Sequence, residues 1–337
     1  MDKKPDKIKL AHGNGGLLMQ ELIHKLLLKK LYNPLLSPLG DSATFDLKRE
    51  QIAFTTDSFV VSPLFFKGAN IGKLAVYGTI NDLVVSGAIP RFLSLSLIIE
   101  EGLEYGILEK IIDSIASTAK KEDVWIVTGD LKVVEKGSCD KIFINTSGIG
   151  RIIYNQLSVK IIEPEDRIII TGSIGEHGLS VLAGRKKEGL DFGIRSDCAS
   201  LKDLILPLLK KNSGIKFMRD PTRGGLASLL NEITSMSTFS LLIEEKNIPI
   251  KPKVRTCSEL LGLDPLYLAN EGKAVLVVER KSAPFILKKL KQHPLGRDSC
   301  IIGKVIKDKN KKVLLKTLSG GLRIVEPPIE ELLPRIC

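Results

Sequence analysis

Gln51-Ile52-Ala53-Phe54-Thr55-Thr56-Asp57-Ser58-Phe59-Val60-Val61 sets the architecture of the chain. The run from Gln51 to Thr56 predicts a β-strand, and Thr56-Asp57-Ser58 brings a carboxylate to its end. After the aromatic loop Pro63-Leu64-Phe65-Phe66, apolar spacing predicts a helix from about Ile71 to Gly87 that carries Asn81-Asp82. At its start, Gly68-Ala69-Asn70-Ile71-Gly72-Lys73-Leu74 imitates a phosphate-binding P-loop. It fails as one, because the glycines are one residue too close and Leu74 stands where Ser or Thr would meet magnesium.

Upstream, Leu17, Leu18, Leu22, Ile23, Leu26, Leu27 and Leu31 predict an amphipathic helix from about Gly16 to Tyr32. His12-Gly13-Asn14-Gly15-Gly16 leads into it, a turn whose unpaired N–H groups can hold an anion. Downstream come a strand over about Arg91 to Ile99, a helix over about Tyr105 to Lys121 and a short strand from Val124 to Val127. A turn, Thr128-Gly129-Asp130-Leu131-Lys132, is expected next, and a strand from Lys141 to Thr146 closes a first domain, 1–153. The chain restarts with a β pattern from Asp166 to Thr171 that stops at Gly172-Ser173-Ile174-Gly175-Glu176-His177-Gly178. Asp220-Pro221-Thr222-Arg223-Gly224-Gly225-Leu226 opens an apolar helix to about Met236, and Ala269-Asn270-Glu271-Gly272-Lys273 precedes a strand from Ala274 to Val278. These make a second domain, 154–318, and 319–337 a flexible tail. The strand–helix alternation fits α+β layers and a parallel sheet equally.

The 337 residues are 43% hydrophobic, enough for two cores. The charged start and the shortness of the apolar runs leave no membrane span, and a cytoplasmic protein is expected. Five dispersed cysteines without a CxxC pair, and four scattered histidines, indicate neither a zinc site nor a disulfide frame. A net charge of +11 raises nucleic-acid binding, but the lysines lie in separated pairs and aromatics are 5%, which favours a solvated surface.

Asp41, Asp57, Asp82, Asp130 and Asp220 fall at element ends or beside glycine, where side chains converge on loop-lined clefts. Carboxylates grouped without His or Cys suit a hard cation with oxygen ligands, above all magnesium carrying nucleotide phosphates. Singly, each Asp reads as a turn or cap residue. At the other end of the chain, Pro327 and Pro328 stiffen a segment that finishes in Pro334-Arg335-Ile336-Cys337, an arm expected to leave the globule with a thiol at its tip. With 5 Cys in 337 residues, a Cys in last place arises by chance about once in seventy such chains, which favours a role for it.

The run Thr55 to Val61, with Ile71 to Val76, Gly78-Thr79-Ile80-Asn81-Asp82-Leu83 and Ser86-Gly87-Ala88, resembles the ATP-binding half of the aminoimidazole-ribonucleotide synthetase superfamily. Within it, Thr128-Gly129-Asp130 with Lys132, the Asp220 to Leu226 motif, Asn270 to Lys273 and the final Pro334-Arg335-Ile336-Cys337 resemble the hydrogenase maturation factors of the HypE family. The resemblance implies a two-domain α/β (α+β) chain whose N-terminal sheet completes a barrel across a homodimer. It implies ATP and Mg2+ as cofactors, with metal ligands at Asp41, Asp57, Asp82, Asp130 and Asp220 and nucleotide contacts at His12, Lys73, Asn81, Gly129 and Arg223. It further implies that Cys337 accepts a carbamoyl group from the carbamoyltransferase HypF, that ATP drives its dehydration to a thiocyanate, and that cyanide passes to iron on HypC and HypD. Glu271 is then the proton acceptor and Lys132 activates or orients the carboxamide. Without the resemblance, Glu271 reads as an ion-pair partner of Lys273 and Lys132 as a solvent-exposed lysine. Leu131 and Asn14 depart from the family pattern, where Thr and a small residue are usual, without removing a group assigned a role.

The chemistry is consistent with those parts. An amide oxygen cannot leave as hydroxide, but a phosphoryl group turns it into a phosphate leaving group, after which loss of the N–H protons makes the C≡N bond. Rivals in the superfamily are aminoimidazole-ribonucleotide synthetase, selenophosphate synthetase and thiamine-phosphate kinase, none of which needs a terminal Cys. A basic nucleic-acid-binding or scaffold protein without turnover is the alternative from another class.

Overall fold

A computed structural model describes residues 7–9, 12, 17–36, 50–185, 193–210, 213–328, 333 and 335–337. Asp41 and the glycines of the 13–16 turn lie outside the described residues.

The N-terminal half is a four-stranded sheet in the order β1-β6-β4-β5, formed by β1 (Ile52–Phe59), β4 (Ala88–Glu100), β5 (Trp125–Val134) and β6 (Ile142–Ile152). The small hairpin β2 (Phe65–Phe66) and β3 (Ala69–Asn70) precedes the helix Ile71–Val85. Asn70 caps that helix, its side-chain oxygen accepting from Lys73 N–H at 3.0 Å. Alternation in β4 buries Leu93, Leu95, Leu97 and Ile99 under the helices Ile71–Val85 and Tyr105–Lys121. The helix Ile71–Val85 is buried almost all round, since it is packed between this sheet and the second half of the chain. The Gly16–Tyr32 expectation is met by Leu17–Leu22, a π-helical middle at Ile23–Leu28 and Lys29–Leu31.

The expected turn at Thr128 to Lys132 is instead the middle of β5, which runs parallel to β4 with Leu95 opposite Gly129 and Ser96 opposite Asp130. Gly and Asp suggest a turn locally, but sheet pairing overrides that preference. Gly129 is required for a different reason: a Cβ there would run into the Leu95 carbonyl oxygen.

Among the described residues, the opposite face of this sheet carries exposed side chains. Phe54, Ile149, Phe92 and Trp125 are in register across all four strands, with Phe54 70% and Trp125 43% exposed. A second row, Ser58, Asn145, Ser96 and Asp130, gives the face a polar middle.

The second half is a seven-stranded sheet in the order β13-β12-β9-β11-β7-β10-β8, antiparallel except for the β9–β12 pair. Its strands are β7 (Arg167–Ile170), β8 (Ile215–Arg219), β9 (Ser240–Glu244), β10 (Val275–Val278), β11 (Cys300–Ile306), β12 (Val313–Lys316) and β13 (Leu322–Ile324). β10 is buried along its whole length, and its residues alternate between two cores. Leu276 and Val278 join the core shared with the first half, while Val275 and Val277 join the one under the helix Gly225–Ser235. The layers are therefore α+β.

The end of the chain does not project as an arm. Val60 N–H donates to the Cys337 carbonyl and Ser62 N–H to the Arg335 carbonyl, both at 3.1 Å, so the last residues add antiparallel to the segment just beyond β1. Unpaired donors past the end of an edge strand recruit free carbonyls.

Candidate active site

Asp57 on β1 points with Thr55 to the helix-covered side of the sheet, where Thr55 Oγ1 donates to Asp82 Oδ2 at 2.7 Å. The close pass of helix and strand needs Gly78, whose absent Cβ would sit 2.8 Å from the Phe59 ring and 4.0 Å from Asp57 Oδ2. Asp220, at the end of β8 in the second half, meets this pair across the junction. Burial, then the charge of Asp82, pushes the Asp57 carboxyl up to about 6, while Arg223 opposes the rise. Burial and the charges of Asp82 and Asp57 push Asp220 up to about 7.

Glu271 closes the group from the loop before β10 and is 4% exposed. Burial first, then Asp220, Asp197, Asp57 and Asp82, hold its carboxyl well above the usual range. The ion pair with Lys273, the alternative reading of Glu271, is not formed. Lys273 Nζ lies 3.3 Å from Asp197 Oδ2, and Asp197 Oδ1 accepts from the Glu271 N–H at 3.2 Å. Asn81, 1% exposed, donates to the carbonyls of Ala199 (3.0 Å) and Glu271 (3.1 Å) and accepts from Leu201 N–H (2.8 Å), so its amide holds the Glu271 loop against the first half.

Cys198 borders the same group; burial, then Glu271 and Asp197, raise its thiol well above its ordinary value, with Lys73 opposing. His12 is buried and its Nδ1 is engaged by Lys9. Arg223 is exposed beside Asp57.

Asp130 and Lys132 are not brought to these carboxylates within one chain. They pair with each other at 3.3 Å on β5, the edge of the sheet opposite β1. Three strand spacings, about 14 Å, separate the two edges, and Asp130 lies on the open face while Asp57 lies on the covered one. Cys337, by contrast, is seated at Val60, three extended residues or roughly 10 Å along the chain from Asp57.

Among the described residues no three His, Cys, Asp or Glu side chains form a ready-made metal site. The donor chemistry nonetheless suits a hard divalent cation: the charge of Asp82 raises the proton affinity of both Asp57 and Asp220, and a bound cation relieves that repulsion. Sequence reasoning missed Asp197 and His177. Asp197 sits in an irregular stretch with no periodicity, and His177, in the first turn of a helix, belongs to a glycine-rich sequence that reads as a helix lead-in.

Two α/β halves meeting over a carboxylate group define the AIR synthase related class. The family models "AIR synthase related protein, N-terminal domain" and "AIR synthase related protein, C-terminal domain" match residues 39–152 and 163–316. A carbamoyl dehydratase HypE of Escherichia coli (strain K12) is 45% identical over 98% of this chain and 100% of its own. The crystal structure of a hydrogenase maturation protein HypE in complex with ATP superposes with a TM-score of 0.93 at 42% identity, covering 98% of this chain and 99% of that one. A HypE chain solved in a HypE–HypF complex has a TM-score of 0.79 at 45% identity, covering 93% of this chain and 100% of that one. The chain belongs to the HypE family of AIR synthase related proteins.

Proposed function

We propose that the chain is an ATP-dependent carbamoyl dehydratase that converts a carbamoyl group on the Cys337 sulfur to a thiocyanate, the source of the cyanide ligand on the iron of [NiFe]-hydrogenase. The seating of Cys337 at the end of the strand that carries Asp57 is the observation that carries this reading. ATP and a HypF-type carbamoyltransferase are its co-substrate and donor partner, as the two solved relatives suggest, and a HypC–HypD iron scaffold is the acceptor.

The carboxamide oxygen takes a phosphoryl group from the nucleotide and leaves as phosphate. The two nitrogen-bound protons are lost, so the carbon–oxygen bond breaks as carbon and nitrogen become triply bonded. Glu271, with its raised proton affinity, is matched to receive a proton from nitrogen. Asp57, Asp82 and Asp220, with Asp41, would hold magnesium, which when bound neutralises phosphate charge. Arg223 and Lys73, with His12, would contact the phosphates, and Asn81 would act by positioning Glu271. ATP turnover is expected only with the carbamoylated protein; equal phosphate release from the unmodified chain would refute the reading.

The open sheet face supports a homodimer. When two such faces meet, Asp130, Gly129 and Lys132 of one copy are free to reach the neighbouring copy's site, which they cannot do in their own chain. Phe54→Asp places a charge in the centre of the aromatic row and is expected to yield monomers by sedimentation and to lower turnover about a hundredfold, since roughly 3 kcal/mol of transition-state stabilisation is withdrawn. A dimeric, fully active variant would exclude this face. The proposed division is 1–153, 154–318 and 319–337, the third part carrying β13.

A further inference from the structure

The contacts at the end of the chain assign a role to a side chain outside the carboxylate group. We infer that His177 is a positioning residue, the latch that holds the cysteine-bearing end in the chain's own site during dehydration and must open for loading and delivery. This rests on the reading of Cys337 as the carrier.

His177 is 0% exposed, in the first turn of the helix Glu176–Ala183. Its Nε2 lies 2.8 Å from the Ile336 carbonyl, 159 residues away in sequence, and its Nδ1 2.9 Å from Ser196 Oγ. The Phe66 ring meets it edge-on at 5.4 Å. Burial holds the imidazole toward its neutral form, so Nε2–H donates to Ile336 and Nδ1 accepts from the Ser196 hydroxyl, which itself accepts from Cys198 N–H at 3.1 Å. Asp197 follows Ser196 and binds the Glu271 backbone, which connects the latch to the proton acceptor through one short segment.

The grip is on main chain. The Arg335 carbonyl accepts from Ser62 N–H and from Arg185 Nη2 (3.2 Å), the Ile336 carbonyl from His177, and the Cys337 carbonyl from Val60 N–H. Side chains add recognition: Ile336 is buried, Cys337 packs against the core, and Arg335 pairs with Asp140, donates from Nε to the Val60 carbonyl at 3.0 Å and lies over the Phe143 ring. The His177 contact is to the Ile336 carbonyl and not to the sulfur, so it can form whichever group Cys337 carries. His177 and Arg185 are the members contributed by the second half of the chain, and when the end is released the buried Nε2–H of His177 loses its partner. That penalty biases the equilibrium toward the seated state.

The latch predicts rate changes of opposite sign. In His177→Leu, alkylation of Cys337 by iodoacetamide and its carbamoylation by HypF with carbamoyl phosphate and ATP should rise, alkylation by about tenfold. Single-turnover dehydration of the carbamoylated protein should fall by about tenfold. His177→Gln, which keeps an N–H at the Nε2 position, should restore both rates, and Ile336→Ala, which leaves the body of the fold intact, should repeat the Leu phenotype. Unchanged rates in His177→Leu and Ile336→Ala would overturn the latch. So would a joint fall of loading and dehydration without rescue by Gln, which marks a folding defect. Alkylation requires no carbamoyl chemistry, so a wild type that protects Cys337 but never dehydrates it would refute the proposed function and leave the latch standing.

Discussion

Cys337→Ala is expected to lower dehydration by about a thousandfold or more, because loss of a covalent carrier removes the reaction rather than slowing a step. The same substitution should change thermal stability by no more than about 1 kcal/mol, since the Cys337 side chain is only partly buried and the carbonyl contacts and Ile336 that seat residues 335–337 remain. The pairing of a large activity loss with an unchanged melting curve separates a carrier from a packing residue. ATP binding, measured by calorimetry, should persist, because the carboxylates and Arg223 are untouched. A variant that retains turnover would remove the basis of the whole account.

The second large effect is at Asp57. Its carboxyl stands at about 6 and that of Asp220 at about 7, both above the value near 3.9 of an unfolded chain. A folded carboxyl with a raised value favours the protonated form, so its stabilising contribution is complete below about pH 4 and is lost as pH rises through 6 to 7. The ligand-free protein should therefore be less stable at pH 8 than at pH 5.5. With partial exposure discounted, Asp57→Asn should recover about 1–2 kcal/mol at pH 8, seen as a melting temperature higher by about 2–4 °C, while ATP-dependent dehydration falls about a hundredfold or more. Magnesium should raise the melting temperature of the wild type at pH 8, do so weakly at pH 5.5 where its ligands are protonated, and have little effect on the variant. A less stable Asp57→Asn protein would contradict the electrostatic description of the site.

The parts of the fold legible in the sequence are those set by periodicity. The helices at Ile71–Val85 and Tyr105–Lys121 and the strand at Val275–Val278 follow directly from apolar spacing. Residues that act by pairing across the chain were not legible. Thr128-Gly129-Asp130 has turn-forming chemistry, and only the neighbouring β4 makes it a strand. The seating of residues 335–337 depends on backbone groups at Val60 and Ser62, which carry no side-chain signature and lie some 275 positions away. Asp57, Asp82 and Asp220 stand out as carboxylates at element ends or beside glycines, Glu271 stands out only through the family resemblance, and the four meet at the junction. Asp130 carries the same signature, yet the sheet places it on its far edge together with Lys132, which the resemblance alone singles out. His177 was invisible because a histidine in a glycine-rich helix lead-in has no pattern that announces a partner at the end of the chain.

The most direct test is isotopic. Carbamoyl phosphate labelled with oxygen-18 in its carbonyl is incubated with the carbamoyltransferase, this protein and ATP, and mass spectrometry follows both the C-terminal peptide and the released phosphate. Oxygen transfer requires the peptide to gain a carbamoyl group at Cys337, then lose the elements of water, with the heavy oxygen appearing in phosphate. Heavy oxygen that appears in solvent water, or a peptide that stays unmodified while ATP is consumed, would contradict it.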